Sequence, residues 1–379
     1  YDGGMLTTRA DLCASRFSTA VLCVLLLGSM LSLAQAAWPP DESKGTVDYS
    51  SPASWPNDPG YAGEWQLWSF APSSSSKLDA RTRRLGIGAH VDRAWAKTAG
   101  DPRVLIAVLD SGAYWDRPDL VNKWFLNAGE LPPPDDACQT PEHRGPGKRI
   151  HDANGDGVFN VQDYTTARGH EQPLPAKLCD PRLRDANNNR LLDPQDLLLT
   201  FSDRKDDDGN GYIDDIAGWD FFHNDNDAYD DTRYGHGTGE ATDSAAEADN
   251  GIDDAGVCPR CRVTPLRVGD SFVADANSFA VAAAYAVDLG ASVIQEALGT
   301  ISNTPLSKWA IDYAYDNHVT VIASAADENS FHHNFPGTNN HTVYVHAIRY
   351  NAQRREDATH AFAFDNCTNY GAQLQLSVP

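Results

Sequence analysis

Six successive apolar residues, Val104-Leu-Ile-Ala-Val-Leu109, run straight into a carboxylate at Asp110. A strand that is apolar at every position has no face to offer to water, so it must lie in a sheet covered on both sides. That excludes a half-solvated antiparallel sheet and leaves a layered α/β fold. The downstream pattern agrees. Ser278 to Leu289 has helical apolar spacing and stops at Gly290, Ala291 to Leu298 reads as a strand, and Pro305 to Asn317 reads as a second helix. Val319 to Ala325 and Thr342 to Ile348 read as further strands. Strands and helices taking turns predict a doubly wound parallel sheet with helices on both faces, in which working residues gather where strands end. Asp110 stands at such an end, and a helical stretch through Trp95 precedes its strand.

Charge narrows the function classes. A formal net charge of −23 over 379 residues excludes wrapping a phosphate backbone, which needs a basic face to release counterions, and suits hydrated cations instead. The carboxylates crowd between Asp152 and Asp254. From Asn127 to Asp230 the chain is polar and rich in turns, too long for an ordinary loop, and is read as an inserted subdomain at about 127–217.

Within it, Asp152-Ala-Asn-Gly-Asp-Gly-Val-Phe-Asn-Val-Gln-Asp163 places oxygens at alternate positions around a turn glycine, the arrangement that wraps a calcium ion. The expected ligands are Asp152, Asn154, Asp156, Val158, Asn160 and Asp163, in a loop resembling those of EF-hand and dockerin proteins. A second copy keeps Asp185, Asn187, Asn189, Asp193 and Asp196 but carries Arg190 at the turn. The third runs through Asp206, Asp208, Asn210, Asp214 and Asp215, with Ala217 where the last carboxylate belongs, so its ligands are to be completed from elsewhere. Solvated acidic turns are the alternative for all three. The calcium would be structural, ordering an insert expected to be too polar to form a core.

At the N-terminus, Met5 is read as the start. Arg9 and Arg16 precede an apolar stretch from Ala20 to Leu33 and the small-x-small Ala34-Gln35-Ala36. This predicts an export signal over 1–36, cleaved after Ala36, and a secreted protein, extracellular or periplasmic, without stable membrane association; an uncleaved anchor is the alternative. Residues 37–76, rich in Pro, Ser, Asp and Trp with no lasting period, are expected as an extended arm or linker before the main domain at 77–379. Export also bears on cysteine. Cys138 is expected to pair with Cys179 around the insert and Cys258 with Cys261 locally, leaving Cys367 for a partner beyond the chain. A redox or zinc half-site is the alternative for Cys258 and Cys261, but no second pair lies at finger spacing.

Two motifs carry chemistry. Activating a serine hydroxyl takes an imidazole to accept its proton and a buried carboxylate to orient that imidazole. Val108-Leu-Asp-Ser-Gly112 with Arg117-Pro-Asp-Leu120 offers the carboxylate, and Gly235-His-Gly-Thr238 offers an imidazole between glycines that allow close backbone approach. These segments, in this order, resemble the aspartate and histidine motifs of the subtilase family. The likeness extends through Asn57-Asp-Pro59, Trp65-Gln-Leu67, Asp206–Asp215, Gly218-Trp-Asp-Phe221, Pro265-Leu-Arg-Val268 and Val293–Gly299.

The resemblance implies a subtilisin-like fold and a serine endopeptidase acting on polypeptides, with Asp110 orienting the ring and His236 as general base. It implies substrate-binding strands at Ala297-Leu298-Gly299 and near Gly269-Asp-Ser271. Three departures stand out. The family's Gly-Thr-Ser motif is absent, and the chain stops at Leu376-Ser-Val-Pro379 in a segment resembling the strand before it, so a C-terminally truncated, inactive fragment is expected. The oxyanion segment reads Ser324-Ala-Ala-Asp-Glu-Asn329 in place of Ala-Ala-Gly-Asn, making Asp327 the aligned residue and Asn329 the substitute. Gly239-Glu240 replaces the usual His-Val, setting a carboxylate near His236. A catalytically inactive calcium-binding or interaction protein on the same scaffold is the rival reading. Substrate specificity and oligomeric state are not legible.

Overall fold

The computed structural model describes residues 37–71, 88–232, 234–270, 274–326, 331, 333–347, 369 and 375–378. The expected signal at 1–36, Asp327 and Asn329, Ser271, Ile348 and Cys367 lie outside them. The apolar run forms β1 (Leu105–Asp110), buried at all six positions. Around it lie β2 (Trp219–Asp220), β3 (Arg262–Arg267), β4 (Val293–Glu296), β5 (Thr320–Ser324), β6 (Thr342–Ala347) and β7 (Leu376–Val378), in the order β2-β3-β1-β4-β5-β6-β7. Every neighbouring pair is parallel. The fold is the doubly wound α/β sheet that an all-apolar central strand requires. β2 and β7, of two and three residues, are too short for sequence periodicity to find.

Alternate residues of β1 enter different layers, as the pleat dictates. Leu105, Ala107 and Leu109 pack with Phe279, Ala282, Ala283 and Ala286 of α4 (Ala276–Asp288) and with Ala310, Ile311 and Ala314 of α5 (Pro305–Asp316). Ile106 and Val108 face the other way, toward Trp115, Trp124 and the alanines Ala241 and Ala245 of α3 (His236–Ala245). Helix α4 starts two residues earlier than its apolar spacing shows, because the Asp275 carboxylate accepts from the amides of Asn277 and Ser278.

Two expectations are corrected by packing. The insert is not too polar for a core: Leu131, Val161, Tyr164, Leu183, Leu192, Leu197 and Leu198 share one apolar cluster with Ile106, Trp115 and Trp124. Trp38–Pro379 is accordingly one compact unit. Nor does the Trp-rich segment trail free. Short 3₁₀ turns such as Tyr61–Gly63 and Trp65–Leu67 fold it so that Tyr61, Leu67 and Trp68 bury against Val91 and Trp95 of α1 (Val91–Trp95). Trp38 meets Trp95 edge-on at 5.2 Å, and the Trp95 indole donates to the Val257 carbonyl at 3.0 Å. Among the described residues, the remaining α-helix, α2 (Pro194–Phe201), belongs to the insert.

Phe279 is fully buried between α4 and the sheet. Phe279→Ala is expected to lower unfolding free energy by about 3–5 kcal/mol. Leu199→Ala, on the exposed face of α2, is expected to stay within about 0.5 kcal/mol. Denaturant titration of both variants checks the assignment of the core, and equal losses would contradict it.

Candidate active site

Asp110 closes β1 and is buried to 1% exposure. A buried carboxylate needs hydrogen-bond donors, and two are in place: the Ser111 amide donates to Oδ1 at 2.7 Å, and Nδ1 of His236 lies 2.8 Å from Oδ1 and 3.0 Å from Oδ2. The imidazole reaches it because His236 is the first residue of α3, entered from Gly235 in the left-handed region at φ 72°. Gly237 permits the docking. A Cβ there would stand 2.2 Å from the Gly112 carbonyl oxygen and 3.0 Å from the Asp110 Cβ. Its amide donates to Ser111 Oγ at 3.1 Å, and that hydroxyl donates in turn to Asp230 at 2.8 Å. The Tyr234 ring stacks on the imidazole at 5.8 Å between centroids. Ring orientation is therefore set by β1, by the loop before α3 and by Asp230, which carried no sequence signal.

Adjacent strands put other candidates at the same sheet end. β1 and β4 are paired up to Val108 and Gln295, so Asp110 and Ala297 both follow two residues on. Leu298 is buried, the Gly299 carbonyl accepts from Ala274 at 3.2 Å, and Ser324 Oγ donates to the Ala297 carbonyl at 3.3 Å. A Cβ on Gly299 would stand 2.9 Å from the Asn334 amide nitrogen.

β4 also holds a group that the sequence reading passed over. Glu296 is 1% exposed, and neither of its carboxyl oxygens has a hydrogen-bond partner among the described residues. Burial, reinforced by the charges of Asp110 and Glu240, raises its pKa well above the ordinary carboxylate range. The signal was legible as a charged residue inside an apolar strand.

The three acidic loops are wound alike. In the first, Asp152 accepts from the amides of Gly155, Asp156 and Gly157, while Asp163 accepts from Asn154 and Asn160. Asn154 and Asp156 accept from Asp156 and Val158 respectively. In the second, Asp185 accepts from Asn189 and Arg190. Asp196 accepts from Ala186, Asn187 and Asp193, and Arg190 takes φ 76° at the turn. The third lacks its own closing carboxylate, and Glu130 supplies it. One Glu130 oxygen accepts from Asp207 and Asp208 and the other from Asp214, the roles Asp163 and Asp196 play in their loops. The side chain of Asp214 does not join this group, because both its oxygens accept from the amides of Asp203 and Arg204. Asp215 stands in its place. Glu130, Asp208 and Asp215 bring one oxygen each within 4.8 Å of one another, and no other trio of His, Cys, Asp or Glu does so among the described residues. Cys138 is joined to Cys179 (S–S 2.06 Å) and Cys258 to Cys261 (S–S 1.95 Å).

Residues 101–374 match the model of the subtilase family, Peptidase_S8. The chain belongs to the subtilase family. This subtilase is similar to thermitase of Thermoactinomyces vulgaris, 31% identical over 170 residues that cover 43% of this chain and 55% of that protein. It is also similar to a thermophilic serine proteinase of Bacillus sp. (strain AK1), 33% identical over 165 residues, 43% of this chain and 38% of that one. Among solved structures, a protease of Pseudoalteromonas arctica PAMC 21717 matches with a TM-score of 0.44 at 22% identity, over 86% of this chain and 72% of the other. The chain thus spans about half the length, or less, of these curated relatives.

The buried Glu296 makes this subtilase pH-sensitive in a defined direction. Its folded pKa lies above its unfolded value, so its contribution to stability is fully present below the ordinary carboxylate range and is lost as pH rises. Glu296→Gln is expected to unfold at a higher temperature than the parent by a margin that widens from about pH 5 to pH 9. Parallel curves for the two proteins across that range would contradict the assignment.

Proposed function

We propose that this chain is the Asp- and His-bearing part of an exported serine endopeptidase. The observation that carries the reading is the 2.8 Å contact between His236 Nδ1 and the buried Asp110 carboxylate. With Nδ1–H donated to Asp110, Nε2 is the nitrogen that takes the proton of a serine hydroxyl as that oxygen attacks a peptide carbonyl. The same imidazole then returns the proton to the leaving amine. Asp110 fixes the tautomer and stabilises the imidazolium. The nucleophile comes from a Gly-Thr-Ser segment that the 379 residues do not include. Extended polypeptide binds along Ala297-Leu298-Gly299, with Asp327 or Asn329 at the oxyanion position. Export follows from the 1–36 segment, and no helix among the described residues is long and apolar enough to cross a membrane.

Calcium is assigned to the three loops as a structural ion. The fit is chemical: Glu130, Asp208 and Asp215 bring one carboxylate oxygen each within 4.8 Å of one another, and a hard cation among those oxygens would offset their mutual repulsion. Asp206 and Asn210 line the same loop. Asp152, Asn154, Asp156, Asn160 and Asp163, then Asp185, Asn187, Asn189, Asp193 and Asp196, would hold ions in the others, with the Val158 carbonyl as a further oxygen.

Two measurements check the reading. The chain extended through the coding sequence downstream of Pro379 is expected to react with a serine-directed fluorophosphonate, and the 379-residue chain is not. Asp110→Asn in the extended protein should cut turnover by about 10⁴-fold. Failure of the extended protein to label would identify a catalytically silent calcium-binding scaffold instead. Chelation is expected to lower the unfolding temperature, and calcium at about a hundred times its Kd to restore about 2.7 kcal/mol. Glu130→Gln should weaken calcium binding at the third loop about tenfold without disturbing Asp110 and His236, and thermal unfolding indifferent to chelator would refute the calcium assignment.

A further inference from the structure

The imidazole of His236 faces carboxyl groups on both sides. Asp110 occupies Nδ1. On the opposite side, Oε1 of Glu240, one helical turn along α3, stands 3.9 Å from Nε2. That turn spacing alone would be unremarkable, since residues four apart on a helix are neighbours. The anchoring is what distinguishes it. Oε2 of Glu240 accepts a short hydrogen bond from the Gln295 side chain of β4, and Oε1 of the same Gln295 side chain accepts from Ser244 Oγ at 3.0 Å, so the carboxyl is held from the sheet as well as from its own helix. With Oε2 fixed, Oε1 is the oxygen left facing the ring.

We propose that Glu240 is a second carboxyl partner of His236, a positioning residue that acts from the Nε2 side and, with Asp110, governs when the imidazole carries charge. The need for it is physical. His236 is the first residue of α3, where the positive end of the helix dipole opposes an imidazolium, and carboxyl groups on both flanks offset that. Among the described residues, the carboxyl groups facing this pair are Asp110 from β1, Glu296 from β4 and Asp243 on α3. They cannot all be ionised together. Burial first, then the Asp110 charge, lift Glu240 to about 7, with Asp243 adding to the rise while His236 and Gln295 oppose it. Glu240 therefore exchanges its proton in the range where a histidine base works.

The proposal rests on His236 being the general base, but its test needs no turnover. In the 379-residue chain, nitrogen and carbon NMR shifts of the His236 ring and the Glu240 carboxyl are followed from pH 4 to 9. In the parent the two groups are expected to titrate as a coupled pair, each curve showing an inflection at the other's midpoint. Glu240→Gln, which keeps shape and the Gln295 contact, should lower the His236 midpoint by about one unit, a tenfold loss of proton affinity. Glu240→Asp should recover part of that shift. A parent His236 curve with no inflection, or a midpoint moved by less than about 0.2 units in Glu240→Gln, overturns the proposal. The parent measurement decides even if the variant does not fold. A peptidase assay that fails in the extended protein bears on the proposed activity, whereas an uncoupled titration bears on Glu240.

Discussion

One imidazole nitrogen held against one carboxylate joins residues 126 positions apart, His236 and Asp110, and the architecture between them is what makes it possible. An ionised carboxylate at 1% exposure is unfavourable unless donors are fixed in place before the ring arrives. The Ser111 amide provides one, and its position follows from β1 ending where it does. The imidazole provides the other, and it arrives only because α3 docks against the Gly112 carbonyl through a residue with no side chain. The packing of α4 and α5 on one face of β1, and of the insert on the other, holds that strand end still.

Much of this was legible. An unbroken apolar strand dictates two covering layers, and a carboxylate at its end marks the functional edge of the sheet. Glycine on both sides of His236 announces close backbone approach. What escaped was what periodicity cannot encode. The tryptophans of 38–68 are spaced without a helical or strand repeat because 3₁₀ turns, not long elements, bring them to Trp95. In the insert, apolar residues such as Tyr164, Leu192 and Leu197 come in runs of three or fewer between acidic loops, so the stretch reads as polar although those side chains reach the central core.

Ligand spacing failed for a related reason. Counting positions marks Asp214 and Asp215 equally, but only the backbone path decides which one turns inward, and Asp214 at φ 58° points its carboxylate at the amides of 203 and 204. Glu130 lies 76 residues before the loop it closes, beyond the reach of any local pattern. Glu296 and Glu240 belong to the same class. Their meaning depends on neighbours from another element, and a net charge of −23 conceals that some of those carboxyls are inside the molecule.

The position of Glu130 has a further consequence. The stretch from Leu131 to Lys205 starts just after that residue and ends just before the loop it closes, so the two ends of the excursion are fastened to each other at its base. With the neck closed, lengthening an exposed turn of the excursion costs only logarithmically in chain entropy. The clasp thus lets the exposed turns of the excursion vary while its apolar residues stay packed on the strand that ends at Asp110.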